Sequence, residues 1–79
     1  MGSSRISNKI RTLRFFNDEM TQQELAEQVG VTRQTIIAME KGKYAPSLDL
    51  AFRIARVFDV KLEEVFTYDA DEKPAEKGS

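Results

Sequence analysis

Apolar residues recur along this chain at helical spacing. Ile6, Ile10 and Leu13 fall at i, i+4 and i+7, and Phe16 follows three residues later. The pattern predicts a first helix that carries these residues, with Ser7 or Asn8 supplying its cap. It sends Phe16 into the core and leaves Phe15 as a surface aromatic or a contact for a partner. A second helix opens at "TQQELAEQV", where Thr21 and Glu24 have the spacing of a capping box and Leu25, Ala26 and Val29 form the apolar face. Gly30 suits the position just past its end, because it reaches positive φ without a Cβ clash.

Thr32 caps a third helix built on Ile36 and Met39, closed by Glu40 and Lys41 and ended by Gly42. The stretch "KGKYAPS" reads as a loop. From Ser47 onward Leu50, Ala51, Ile54, Ala55 and Phe58 make a broad buried stripe. Val60 lies between helices, and Leu62, Val65 and Phe66 form a short fifth helix. No alternating strand pattern and no internal repeat is visible. After Tyr68 the text "DADEKPAEKGS" offers nothing to bury. The expected organisation is a flexible N-terminus at 1–5, one all-α domain at 6–68 and a disordered acidic tail at 69–79.

Helices two and three are separated by little more than Gly30 and Val31. A turn that short makes the axes cross steeply, which is helix-turn-helix geometry. The third helix then opens on polar residues, Thr32, Arg33, Gln34 and Thr35, that its apolar face does not need.

Composition narrows the chemistry. With 79 residues there is room for one small core. There is no cysteine and no histidine, which removes disulfides, thiolate ligands and the commonest general base. No phosphate-binding loop or metal-ligand spacing appears either, so no enzyme, metal site or cofactor is expected. No apolar run approaches the roughly 20 residues that span a bilayer. The start "MGSSRI" has Ile6 where a myristoylation signal needs Ser or Thr. The expectation is a cytoplasmic protein with no membrane partner. The net charge of −1 hides a division. Residues 1–58 carry nine Lys/Arg and six Asp/Glu, whereas 59–79 carry three and seven. A basic body is compatible with phosphate binding whatever the sign of the whole.

The text from "TQQELAEQVGVTRQTIIAMEKG" through "KYAPSLDLAFRIARVFDVKLEEVF" resembles the Cro and phage-repressor type of helix-turn-helix regulator, the XRE family. The likeness covers about Ile6 to Phe66, and its motifs occur in order at the family's spacings. It implies a five-helix lambda-repressor-like domain whose third helix enters the DNA major groove. Arg33 can then donate two hydrogen bonds to guanine and Gln34 can pair with adenine, while Thr32 and Thr35 reach phosphate or a thymine methyl. The resemblance also places Ile37 and Ala38 on the groove side, and assigns Gln22, Lys41, Lys43 and Tyr44 to the sugar-phosphate backbone. It pairs Arg14 with Glu40 as a brace for the third helix. Outside the resemblance, Gln22 is an ordinary first-turn residue and the two lysines are solvated surface. One departure stands out. "RFFNDEMTQ" is one residue longer than the family's turn and lacks its glycine.

The expected function is sequence-specific binding of double-stranded DNA by a homodimer, as a transcriptional repressor on the nucleoid. Its dimer surface is expected around the fifth helix, at Val60, Phe66 and Tyr68, while Leu62 and Val65 are expected to close the monomer core. An alternative keeps the fold but makes the protein an antitoxin that holds a toxin with its acidic tail and represses its own promoter. A protein-binding module without base-reading residues is the third reading, and "TRQT" argues against it.

Overall fold

The computed structural model describes residues 5–68. Five helices follow one another: α1 Ile10–Phe16, α2 Gln22–Val29, α3 Arg33–Glu40, α4 Leu48–Phe58 and α5 Leu62–Val65. Strands β1 (Ile6–Asn8) and β2 (Phe66–Tyr68) flank them and pair antiparallel, with Ile6 opposite Tyr68 and Asn8 opposite Phe66. The expected acidic tail at 69–79 lies outside the described residues, as do residues 1–4 of the expected flexible N-terminus.

The helix boundaries follow their caps. Thr21 accepts from the Glu24 N–H while the Glu24 carboxylate accepts from the Thr21 N–H, so the capping box forms in both directions. Thr32 accepts from the Thr35 N–H, and Ser47 from the Leu50 N–H. Gly30 ends α2 in the left-handed region at φ 78°. One core results. Ile10, Leu25, Val29, Ile36, Met39, Ile54 and Val65 are its fully buried large side chains, and Ala26, Leu50 and Ala55 fill the spaces between.

Three expectations need correction. Helix α1 begins at Ile10, and Ile6 and Ser7 belong to β1. Its N-cap is Lys9, which makes no side-chain cap bond, and neither Ser7 nor Asn8 holds that position. The Asn8 Oδ1 accepts the Ile10 N–H at 3.1 Å from one residue before the cap, while β1 is held extended by its pairing with β2. Phe66 lies in β2, after the end of α5. Phe16 is 77% exposed. Helix α1 ends at Phe16, the chain reverses through Asn17–Glu19, and Met20 packs against the core. Phe15 is also exposed, as expected, and meets Phe16 edge to face with ring centroids 5.4 Å apart.

The long turn achieves its reversal without glycine. Asp18 and Glu19 both adopt left-handed backbone, at φ 58° and 53°. That conformation costs about 1–2 kcal/mol per non-glycine residue. Backbone hydrogen bonds from Glu19 N to the Phe15 carbonyl and from Met20 N to the Arg14 carbonyl help offset it.

Candidate nucleic-acid interface

The unit that aims α3 is built from the turn outward. Gly30 and Val31 both return their N–H groups to the Ala26 carbonyl, which closes α2 tightly. The Val29 carbonyl beside them is held from α4, where Arg53 Nη1 donates to it at 2.7 Å. Asp49, one turn earlier on α4, accepts from Arg53 Nε at 2.9 Å and sets the guanidinium. Sequence reasoning missed this support. Asp49 and Arg53 are legible as an i,i+4 pair, but their target is a main-chain carbonyl with no signature of its own.

Helix α3 is anchored by Ile36 and Met39, both buried. Its opening is free of that task. Thr32 and Thr35 share a hydrogen bond between hydroxyls at 3.1 Å, and Arg33 and Gln34 are exposed. Ile37 and Ala38 are half-buried on the next turn. After Glu40 the backbone tightens through Lys41 and Gly42, the latter at φ 75°, and Lys43 and Tyr44 emerge exposed.

At the far end of α3, Arg14 and Glu40 meet. Arg14 Nε donates to Glu40 Oε2 at 2.7 Å and Nη2 to Oε1 at 3.1 Å. Gln22 Nε2 adds a third donor to Oε1 at 3.1 Å. Arg14 Nη1 reaches the Met20 carbonyl at 2.8 Å. The extra turn residue therefore leaves the pair intact, because the left-handed residues return Met20 to the guanidinium.

An open groove runs beside these groups. Arg33 and Ile37 from α3, Gln22 from α2, Arg11 from α1, and Lys41 line it together with the Arg14–Glu40 brace. Four cations and two acids border it, the second acid being Glu19 of the long turn. Since Arg14 and Glu40 pair with each other, Arg11, Arg33 and Lys41 remain against Glu19 alone, which leaves the groove net positive. Thr32, Gln34, Thr35 and Ala38 stand outside this lining, as do Lys43 and Tyr44.

The expected dimer residues are dispersed. Val60, Leu62 and Phe66 pack half-buried against the core, Val65 is fully buried, and Tyr68 is exposed on the ribbon. Phe66 and Leu62 line a second, apolar groove with Ile6, Pro46, Leu48 and Ala51. Leu48 in that groove is exposed, and so is Phe52 one turn further along α4. Among the described residues no cluster of acids could hold a metal ion, and no helix is long and apolar enough to cross a membrane.

Comparison with known proteins agrees with this fold. A family model described as helix-turn-helix matches residues 17–65. The chain is 54% identical over 67 residues to an uncharacterised helix-turn-helix transcriptional regulator of Methanocaldococcus jannaschii, covering 85% of this chain and all of that one. It is 37% identical over 59 residues to the cryptic phage CTXphi transcriptional repressor of Vibrio cholerae, covering 75% of this chain and 52% of the repressor. The crystal structure of a candidate DNA-binding protein from Bacteroides fragilis superposes with a TM-score of 0.68 at 27% identity, over 78% of this chain and 98% of that one.

Proposed function

Because the chain belongs to the Cro and phage-repressor type of helix-turn-helix transcriptional regulators, we propose that it represses transcription as a homodimer on a near-palindromic operator. The observation that carries this reading is the division of labour on α3. Its buried face anchors it, Glu40 braces its end, and Arg33 and Gln34 are left exposed at its opening. In the major groove Arg33 reads guanine and Gln34 reads adenine, each through two hydrogen bonds. Thr32 and Thr35, then Ile37 and Ala38, complete the base-facing surface. Gln22, Lys41, Lys43 and Tyr44 take the sugar-phosphate backbone, as the family resemblance implies. One such helix reads only a handful of base pairs, so a second copy supplies useful specificity. Two-fold pairing sets the two helices about 34 Å apart, one turn of DNA. The apolar groove lined by Phe66, Leu62 and Ile6 supports placing the second copy there, with Tyr68 exposed on the ribbon opposite Ile6 and Val60 half-buried against the core. Repression follows where the bound dimer excludes polymerase, in the cytoplasm on the nucleoid. The antitoxin reading depends on residues 69–79, outside the described residues, and no observation on the fold favours it.

Selecting bound duplexes from a random pool tests the proposal. The expected product is a consensus with two inverted half-sites one helical turn apart, carrying two chains by sedimentation. A single half-site bound by a strict monomer would refute the symmetric model.

A further inference from the structure

One side chain joins three elements. Asn8 ends β1, where it is the register partner of Phe66 in β2. Its Oδ1 accepts the Ile10 N–H at the start of α1, 3.1 Å away. Its Nδ2 donates to the Met39 carbonyl near the end of α3, 2.8 Å away and 31 residues on. Reversing the amide would set NH2 against N–H and oxygen against carbonyl, so the two contacts together allow one orientation only.

We propose that Asn8 is a positioning residue for base reading, fixing the end of α3 relative to α1 and the β-ribbon. The inference rests on α3 being the DNA-reading helix. Two adjacent residues of that helix are then gripped by different elements. Glu40 is held through its side chain by Arg14 and Gln22, and Met39 through its backbone by Asn8. The brace on Glu40 lies at the end of long side chains, whereas Asn8 reaches its target through a short one. Arg33 sits six residues before Met39, about 9 Å along the axis at 1.5 Å per residue. A small tilt at the Met39 end is carried along that lever to Arg33. A two-pronged contact with a base edge tolerates little displacement, while lysines reaching phosphates tolerate more. Loss of the Asn8 grip therefore lowers operator binding and spares binding to random duplex. The same residue links α3 to Phe66, so the ribbon and the apolar groove beside it are tied to the orientation of the reading helix.

The test compares full-length wild type with Asn8→Asp, using the selected operator and a scrambled duplex. The introduced carboxylate keeps an acceptor for the Ile10 N–H and faces the Met39 carbonyl with an oxygen in place of a donor. Asn8→Ser serves as a second variant, keeping a short acceptor near Ile10 without reaching Met39. Affinity for both duplexes is measured by fluorescence anisotropy, with thermal melting to follow the folded fraction. The expected result is a fall of about tenfold in the ratio of operator to scrambled affinity, in whichever variant stays folded. Parallel loss on both duplexes, tracking the melt, overturns the inference and leaves Asn8 a stability residue. An unchanged ratio overturns it as well. A wild type without sequence preference would overturn the DNA-reading proposal itself, which keeps the two failures distinct.

Discussion

Arg14 and Glu40 meet across 26 residues as a two-pronged pair, 2.7 and 3.1 Å, with side chains 15% and 9% exposed. That burial separates the pair from surface ion pairs, which contribute about 0–1 kcal/mol. Gln22 shares Oε1 with Arg14, so the Glu40 carboxylate has three donors in all. Removing one partner leaves a largely desolvated charge under-compensated. Arg14→Ala is expected to cost about 2 kcal/mol of stability and to lower Tm by about 10 °C. Circular-dichroism melting checks it, and an unshifted Tm would show that the brace adds nothing to the fold.

Arg33→Ala tests base reading directly. The side chain is exposed at the opening of α3, so its loss leaves the fold intact. Operator affinity is expected to fall by about 1–3 kcal/mol, and preference to relax at one base position. A repeat selection with the variant reads both effects. Equal loss on every sequence would make Arg33 a phosphate contact.

Salt dependence separates the backbone contacts. Lys43 emerges exposed after α3, and no step of base reading uses it. Lys43→Gln is expected to weaken binding on all duplexes and to lower the slope of log K against log salt by about 1. Titrations at several salt concentrations give the slope. A flat response in the wild type would sink the DNA proposal.

Phe16 and Ile10 lie on the same helix with opposite fates. Ile10 is fully buried and Phe16 is exposed. Ile10→Ala is expected to cost about 2–5 kcal/mol, whereas Phe16→Gln changes stability by less than about 0.5 kcal/mol. Urea melts of the two variants check this. A multi-kilocalorie loss at Phe16 would return its ring to the core.

Those two residues also mark where helical spacing stops informing. Ile10 and Leu13 face inward because α1 is regular between them. The period carried on to Phe16 predicts burial there too, but the helix ends at that residue. Its continuation is a turn of left-handed residues, and Met20 packs inward beyond it. The Arg14–Glu40 contact was legible only through the family resemblance, since 26 residues separate the partners and neither charge names the other.

The five helices, the caps at Thr21 and Thr32, and the break at Gly30 were all readable along the chain. Each depends on residues within about one helical turn of one another, and local spacing records such relationships. The β-ribbon, the Asn8 grip on Met39 and the Arg53 grip on Val29 were not readable. Three-residue strands are too short to display a period. The two grips span 31 and 24 residues and end on main-chain carbonyls. A carbonyl is the same at every position, so no side chain announces which one will be held. Folding alone brings Asn8 and Arg53 within reach of theirs.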